Sequence, residues 1–287
     1  MFGVRVIQRQ KGNNTYYYLQ HSYRREGKVL TKERYLGKKI PDNIEEIKQQ
    51  LMQETNQKAD LAKLEKIRNT FQKKWETLPE SAKQREMKEL AIVFTYNTNA
   101  IEGSTITLDE TRAILEDQIA PNKPLKDIRE TEAHAKVFLE MLKAQDPISN
   151  ELLLKWHNEI FKETKQDIAG KFRTWPVRVG PYLPPDANKI EQLMKQLLSF
   201  VNESPMNPAE TAIRAHYIFE KIHPFGDGNG RIGRLLMNYI LWKNGYPMFV
   251  VKNNKKQAYY KALNKPEEGF RNYMMRQYMA AFRKIEF

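Results

Sequence analysis

The sequence predicts a mainly α-helical protein that starts with a small antiparallel sheet and is interrupted once, late in the chain, by an extended flap. Three observations carry this expectation. Residues 1–40 alternate β-branched and aromatic runs with glycine-bearing breaks. From residue 41 onward helix formers dominate, and apolar residues recur every three to four positions. Only the segment GKFRTWPVRVGPYLPPD, residues 170–186, returns to β-branched residues between glycines, and it closes on Pro184-Pro185.

The 287 residues suffice for one large domain with an appendage or for two modest ones. With 40% hydrophobic against 29% charged residues, the chain can bury a core. The absence of cysteine excludes a disulfide framework, a thiolate zinc site and a cysteine nucleophile, and it fits a reducing cytoplasm. No stretch approaches the roughly 18 to 20 apolar residues of a membrane helix, and MFGVRVIQRQ lacks the apolar core of a secretory signal. The expectation is a cytoplasmic protein without a membrane partner. A net charge of +13 favours acidic partners, nucleotides or nucleic acid.

In chain order, VRVIQRQ, TYYYLQHSY and VLTKERYLG read as three strands separated by KGNN and RREGK. Residues 1–40 hold ten Lys and Arg against Glu26 and Glu33, so most of the excess charge sits in this segment. Together with Tyr16, Tyr17, Tyr18, Tyr23 and Tyr35 it admits a nucleic-acid-binding regulator as a reading of a different class; a solvated basic face is the plainer one. Residues 41–94 form a helical linker or stalk. Ile44, Ile47, Leu51, Leu61, Leu64, Ile67, Phe71, Trp75 and Leu78 keep helical spacing, as one long amphipathic helix or two, and they offer packing or a homodimer face rather than a cofactor site. Residues 95–287 read as one further, mainly helical domain.

Asn207-Pro208 caps a helix running to Ile222, with Ala212, Ala215, Phe219 and Ile222 on its apolar face. HPFGDGNG follows, and then a helix with Ile232, Leu235, Leu236, Tyr239 and Ile240 facing a core and Gly245 marking its end. Gly226, Gly228 and Gly230 let the backbone approach a ligand, and the second helix presents its unpaired N–H groups there. Arg231 and Arg234, three apart, reach phosphate oxygens, and Asp227 supplies a hard oxygen of the kind Mg²⁺ accepts. His223 is placed to take a proton from an attacking hydroxyl. His21, His134, His157 and His216 read as core histidines.

HPFGDGNGRIGR resembles the Fic signature His-x-Phe-x-Asp/Glu-Gly-Asn-Gly-Arg-x-x-Arg at every defined position. The resemblance covers residues 95–280 or so, and implies a Fic-type helical core with a β-hairpin flap. It implies a protein adenylyltransferase using ATP and Mg²⁺, with His223 as general base and Asp227 holding the metal. Asn229 and the backbone of Gly228 and Gly230 would orient the α-phosphate, and Arg231 and Arg234 would hold the β- and γ-phosphates. A Ser, Thr or Tyr hydroxyl of a target protein, or of the chain itself, would attack the α-phosphate and release pyrophosphate. Family variants that phosphorylate replace the Gly-Arg part of the loop with Lys-bearing sequence; intact GNGR favours AMP transfer.

By the same resemblance, Gly170, Lys171, Phe172, Arg173, Val177, Arg178, Val179 and Gly180 belong to the flap that offers an edge to the target, with Val177 nearest its side chain. Tyr259 and Tyr260, followed by Leu263, sit where relatives line the adenine pocket. Thr98-Asn99-Ala100-Ile101-Glu102-Gly103 resembles the inhibitory Ser/Thr-x-x-x-Glu-Gly/Asn pattern of some members. Gly103 stops a helix there, leaving Glu102 in its last turn with Thr98 one turn behind, and Thr107 with Glu110 caps the next helix. An autoinhibited AMP transferase and an enzyme that hydrolyses AMP from a modified protein would use this same loop.

Overall fold

The computed structural model describes residues 4–25 and 28–283, so the turn expected at Glu26 and Gly27 lies outside the described residues. The chain divides into two compact units, Met1–Lys66 and Ile67–Phe287, the division falling inside the long helix α1 (Ile44–Thr77).

In the first unit, β1 (Val4–Lys11), β2 (Asn14–Arg25) and β3 (Lys28–Gly37) pair antiparallel in sequence order. Gly12 opens the first hairpin turn at φ +60°, a value that favours glycine at this position of a tight two-residue loop. The two-residue period separates the faces. Leu19 and His21 are buried on one face, where Lys32 and Arg34 both pair with Glu54 of α1. Tyr16, Tyr18 and Tyr35 share the other. Along α1, Leu51 and Leu64 are buried as the apolar stripe predicts, but Leu61 is 41% exposed.

The second unit is helical, as the spacing predicts. It contains α2 (Glu80–Ile101), α3 (Leu108–Arg112) continuing into a π turn (Ala113–Asp117), α4 (Leu125–Lys143), α5 (Asn150–Phe161) and α6 (Ile190–Glu203). Then come α7 (Pro208–Ile222), α8 (Asn229–Lys243), α9 (Lys256–Leu263) and α10 (Glu267–Ala281). Helix α8 is central, packed by α7 and approached by α2, α4 and α5, and it is buried on nearly every side from Asn229 to Leu241. Such all-round burial is the mark of a core helix rather than an amphipathic surface one. Two charged side chains, Arg231 and Arg234, are carried inside with it.

Local capping agrees with the sequence signals. The Asn207 side chain accepts from Ala209 N at 2.9 Å with Pro208 at the first helical position. Thr107 and Glu110 complete a reciprocal capping box. Helix α2 ends at Ile101, and Gly103 adopts φ +101°, which makes glycine the favoured residue just beyond the helix. The residues at the C-terminal end of α2 are thereby presented to α8.

Candidate active site

The loop between α7 and α8 is shaped mainly by its own residues. His223 caps α7 in the left-handed conformation (φ 51°), turning the chain sharply out of the helix. A non-glycine residue held there costs on the order of 1 kcal/mol, so the surroundings must enforce it. Arg173 does so: its Nε donates to His223 O at 2.8 Å, and its backbone N to Pro224 O at 2.9 Å. The Asn229 amide closes the loop from the other end, accepting from Phe225 N and donating to Phe225 O, both at 2.8 Å. Between these anchors the first-turn N–H groups of α8 have no preceding helical carbonyl to bond, which makes this end an anion site.

His223 Nδ1 donates to the Glu220 carbonyl at 3.4 Å, which leaves Nε2 as the basic nitrogen. Burial lowers its pKa and outweighs the opposing Glu220 carbonyl and the Glu102 and Asp227 carboxylates, so the imidazole is neutral at physiological pH. Asp227 is half exposed; its Oδ1 accepts from Gly228 N at 2.5 Å and its Oδ2 from Lys165 at 3.0 Å. Burial pushes its pKa up, but Arg231 and Lys165 outweigh this and hold the carboxyl below its ordinary value.

Several residues that sequence reasoning missed hold this loop. Glu130 on α4 is buried and takes both Arg231 and, at 2.7 Å, Lys165. Its burial alone would raise its pKa; the two cations bring it down. His157, read from the sequence as a core histidine, does more than fill space. Gly170 N donates to its Nδ1 at 2.9 Å, so Nε2 carries the proton and donates to Asp227 O at 3.0 Å, while the ring stacks on Phe225 at 3.9 Å. Burial drops its pKa to about 4, which keeps this bridging tautomer neutral. Trp175 closes over Gly226, where an added Cβ would meet its ring at 2.7 Å.

Gly228 leaves no room for a side chain: it sits at φ +79°, and a Cβ there would lie 2.4 Å from the Phe161 ring. That ring faces Arg231 at 4.4 Å and Lys165 at 4.5 Å. Gly228→Ala is therefore expected to destabilise the fold by about 1–3 kcal/mol and to impair nucleotide binding, measured by thermal unfolding and equilibrium binding of ATP. Unchanged melting and binding would show that the loop tolerates a side chain there.

Arg234 is 1% exposed. Burying an unpaired cation costs several kcal/mol; Thr98 and Glu102 prevent that here. Arg234 Nε donates to Thr98 Oγ1 at 2.7 Å, and Nη2 donates to Thr98 O at 3.1 Å and to Glu102 Oε1 at 2.5 Å. Burial would lower the Arg234 pKa, but Glu102 outweighs it and keeps the guanidinium charged. The Glu102 carboxylate also lies over the first turn of α8, where a Cβ on Gly230 would meet Oε1 at 2.2 Å. A carboxylate thus stands at the helix end suited to an anion. Arg234 Nη1 is buried with no partner among the described residues.

The flap is extended, and its only hairpin feature is the turn in which Val179 and Tyr182 exchange N–H···O bonds at 3.0 Å. Gly170 makes the entry turn at φ +67°; Val177 is half-buried, and Arg178 and Val179 are exposed. The expectation that Arg173 docks a target is corrected: it is 2% exposed, and its guanidinium also donates to Trp175 O and Pro185 O at 2.9 and 2.6 Å, making it the clamp that ties the flap to the loop. Asn229 is likewise turned to Phe225 rather than to a ligand. Tyr259 is corrected as well: it is fully buried, bonded through its hydroxyl to His216 at 2.8 Å, and lines no opening. Tyr260 does line one, a cavity of about 290 Å³ shared with Val179, Tyr182, Lys221, Leu263 and Asn264.

With this geometry in view, residues 147–241 match the model of the Fic/DOC family. These residues belong to the Fic/DOC family. The matched stretch runs from just before α5 to the last turn of α8 and contains the flap and the loop. Over 193 residues, 64% of this chain and 38% of the other, it is 33% identical to Protein adenylyltransferase fic-1 of Caenorhabditis elegans. Over 194 residues, 65% of this chain and 45% of the other, it is 33% identical to Protein adenylyltransferase Fic of Nematostella vectensis. The chain thus spans less than half the length of these relatives. A solved fragment of Fic-1 from C. elegans superposes with a TM-score of 0.69 at 27% identity, covering 85% of this chain and 76% of that one. A Fic-domain-containing signaling protein from Bacteroides thetaiotaomicron superposes at 0.68 with 25% identity, covering 77% and 94%.

Proposed function

We propose that this Fic protein transfers AMP from ATP to a Ser, Thr or Tyr hydroxyl of a protein, and that Glu102 restrains the transfer. The observation that carries the reading is the convergence of a neutral His223, the open N-terminus of α8 and the buried Arg234 on one loop, with the Glu102 carboxylate placed over that helix end. An α-phosphate at the helix end would meet backbone N–H groups, and the γ-phosphate would take the place of Glu102 on Arg234. His223 Nε2 accepts the proton of the attacking hydroxyl, the oxygen forms its bond to the α-phosphorus, and the bond to the β-phosphate bridging oxygen breaks to release pyrophosphate. The cavity beside Tyr260 and Leu263 has apolar walls suited to the adenine ring.

The fit to Mg²⁺ rests on the donor set. Among the described residues no three His, Asp or Glu side chains form a metal cluster. Mg²⁺ needs only one or two carboxylates when phosphates and waters complete its shell, and Asp227, half exposed and held ionised, meets that demand. Asp227 would hold the metal with the nucleotide, and the metal would supply neutralisation of phosphate charge. Asp227→Ala is expected to lower transfer by roughly a hundredfold or more and to flatten its dependence on Mg²⁺ concentration. Metal-stimulated turnover retained in that variant would remove Asp227 from this role.

Between Thr174 and Pro185 the flap backbone pairs with other main chain among the described residues only at the Val179–Tyr182 turn, which suits it to hold a target segment as an added strand. The reaction is tested by incubating the protein with ATP and Mg²⁺ and weighing it: addition of AMP to a hydroxyl side chain supports transfer. Release of AMP from a modified protein without forward transfer would instead assign hydrolysis to the same loop.

A further inference from the structure

The N-terminal sheet has two unlike faces. Lys32 and Arg34 on the face toward α1 share the Glu54 carboxylate. The opposite face presents Arg5 and Arg9, with Lys11 next in the same alternation along β1, beside a cluster of tyrosines. The Tyr18 and Tyr35 rings lie 5.2 Å apart, those of Tyr16 and Tyr35 6.2 Å apart, and Tyr35 is 54% exposed. The Arg9 guanidinium stands 5.0 Å over the Tyr18 ring and the Lys38 ammonium 5.9 Å over Tyr16. Glu33, the carboxylate of this face, is bonded to Arg9 at 2.7 Å and to Gln20 at 2.9 Å, which leaves the face a net cation.

The exposed Tyr35 ring and the half-buried Tyr16 and Tyr18 rings, interleaved with cations on a sheet, meet the two requirements of single-stranded nucleic acid together: bases stack on aromatic faces, and phosphates meet Arg and Lys. An acidic peptide would use only the cations, and a duplex would hide its bases from the rings. We propose that this face binds single-stranded nucleic acid, with bases on Tyr35 and Tyr16 and the phosphates tracked by Arg5, Arg9, Lys11 and Lys38. The proposal is independent of the AMP-transfer reading, since none of these residues belongs to the Fic loop.

The test uses the full chain and dye-labelled oligouridylate and oligothymidylate of about 15 nucleotides, followed by fluorescence anisotropy across a salt series. Saturable binding to either strand is expected, with log affinity falling against log salt at a slope of about −2 to −3 for three to four phosphate contacts. Tyr35→Ala should weaken binding by about tenfold, whereas Tyr35→Phe keeps the stacking ring and the parent affinity. Arg5→Gln, on an exposed side chain, should reduce the slope by about 0.7. A stronger response to the ribose strand would assign the site to RNA, a stronger response to the deoxyribose strand to DNA. Absence of saturable binding at low salt, or competition by polyglutamate as effective as unlabelled oligonucleotide, would overturn the proposal. So would unchanged affinity in a folded Tyr35→Ala; should that variant not fold, an unchanged slope in Arg5→Gln decides against it.

Discussion

His223→Ala is expected to lower AMP transfer by about a hundredfold to ten-thousandfold while ATP binding persists, because in the proposed reaction the imidazole would act on the hydroxyl and the loop would hold the phosphates. The loop has independent supports: Asn229 on Phe225, Arg173 on the His223 and Pro224 carbonyls, and His157 on the Asp227 carbonyl. None needs the His223 side chain, so its removal leaves the anion site standing. The sign of the pH dependence follows from burial. A base works unprotonated, and desolvation lowers the His223 pKa, so transfer should rise with pH with its midpoint below that of an ordinary histidine. Equilibrium ATP binding and transfer rates measured across pH for both proteins check this. Parent-rate transfer by His223→Ala, or a rise centred well above the usual histidine range, would remove His223 as the base.

Glu102→Gly is expected to raise transfer by roughly ten- to a hundredfold, corresponding to the approximately 1.5–3 kcal/mol of a charge-assisted carboxylate–guanidinium bond. In the resting protein Glu102 bonds Arg234 at 2.5 Å and covers Gly230, so a polyphosphate must displace one anion to place another. Without the carboxylate, Thr98 still bonds Arg234 through Nε and Nη2, which keeps the guanidinium in place for a phosphate. Substitution by glycine removes only the side chain from the end of α2, and Gly103 at φ +101° still terminates that helix. Label incorporated from ATP, most readily onto the protein itself, reads the effect; a lower or unchanged signal would mean that Glu102 serves only to neutralise Arg234.

Much of this site was legible because its signals are local. Asn207-Pro208, the glycine-rich loop, Gly103 and the Thr107–Glu110 pair each act within a few residues, and the caps and turns form where they stand. The small sheet was legible from its alternation and breaks. What escaped reading depends on distance in sequence. Glu130 meets Arg231 across 101 residues, and no local pattern on α4 distinguishes it from a surface glutamate. Arg173 was misplaced because charge argues for exposure, whereas four main-chain carbonyls near the loop supply acceptors that permit its burial. Tyr259 and Tyr260 are adjacent on a helix about 100° apart, so one enters the core and the other edges a cavity. His157 showed no signal beyond its residue type, and its two bonds to Gly170 and Asp227 come from the tertiary fold.

The most direct measurement compares ATP labelled at the α-phosphate with ATP labelled at the γ-phosphate, using the parent, Glu102→Gly, and Glu102→Gly combined with His223→Ala. AMP transfer restrained by Glu102 predicts α-label on protein, strongest in Glu102→Gly and near background in the double variant, with γ-label leaving as pyrophosphate in proportion to that transfer and never on the protein. Incorporation of the γ-label, or α-label in the double variant equal to that in Glu102→Gly, would contradict it.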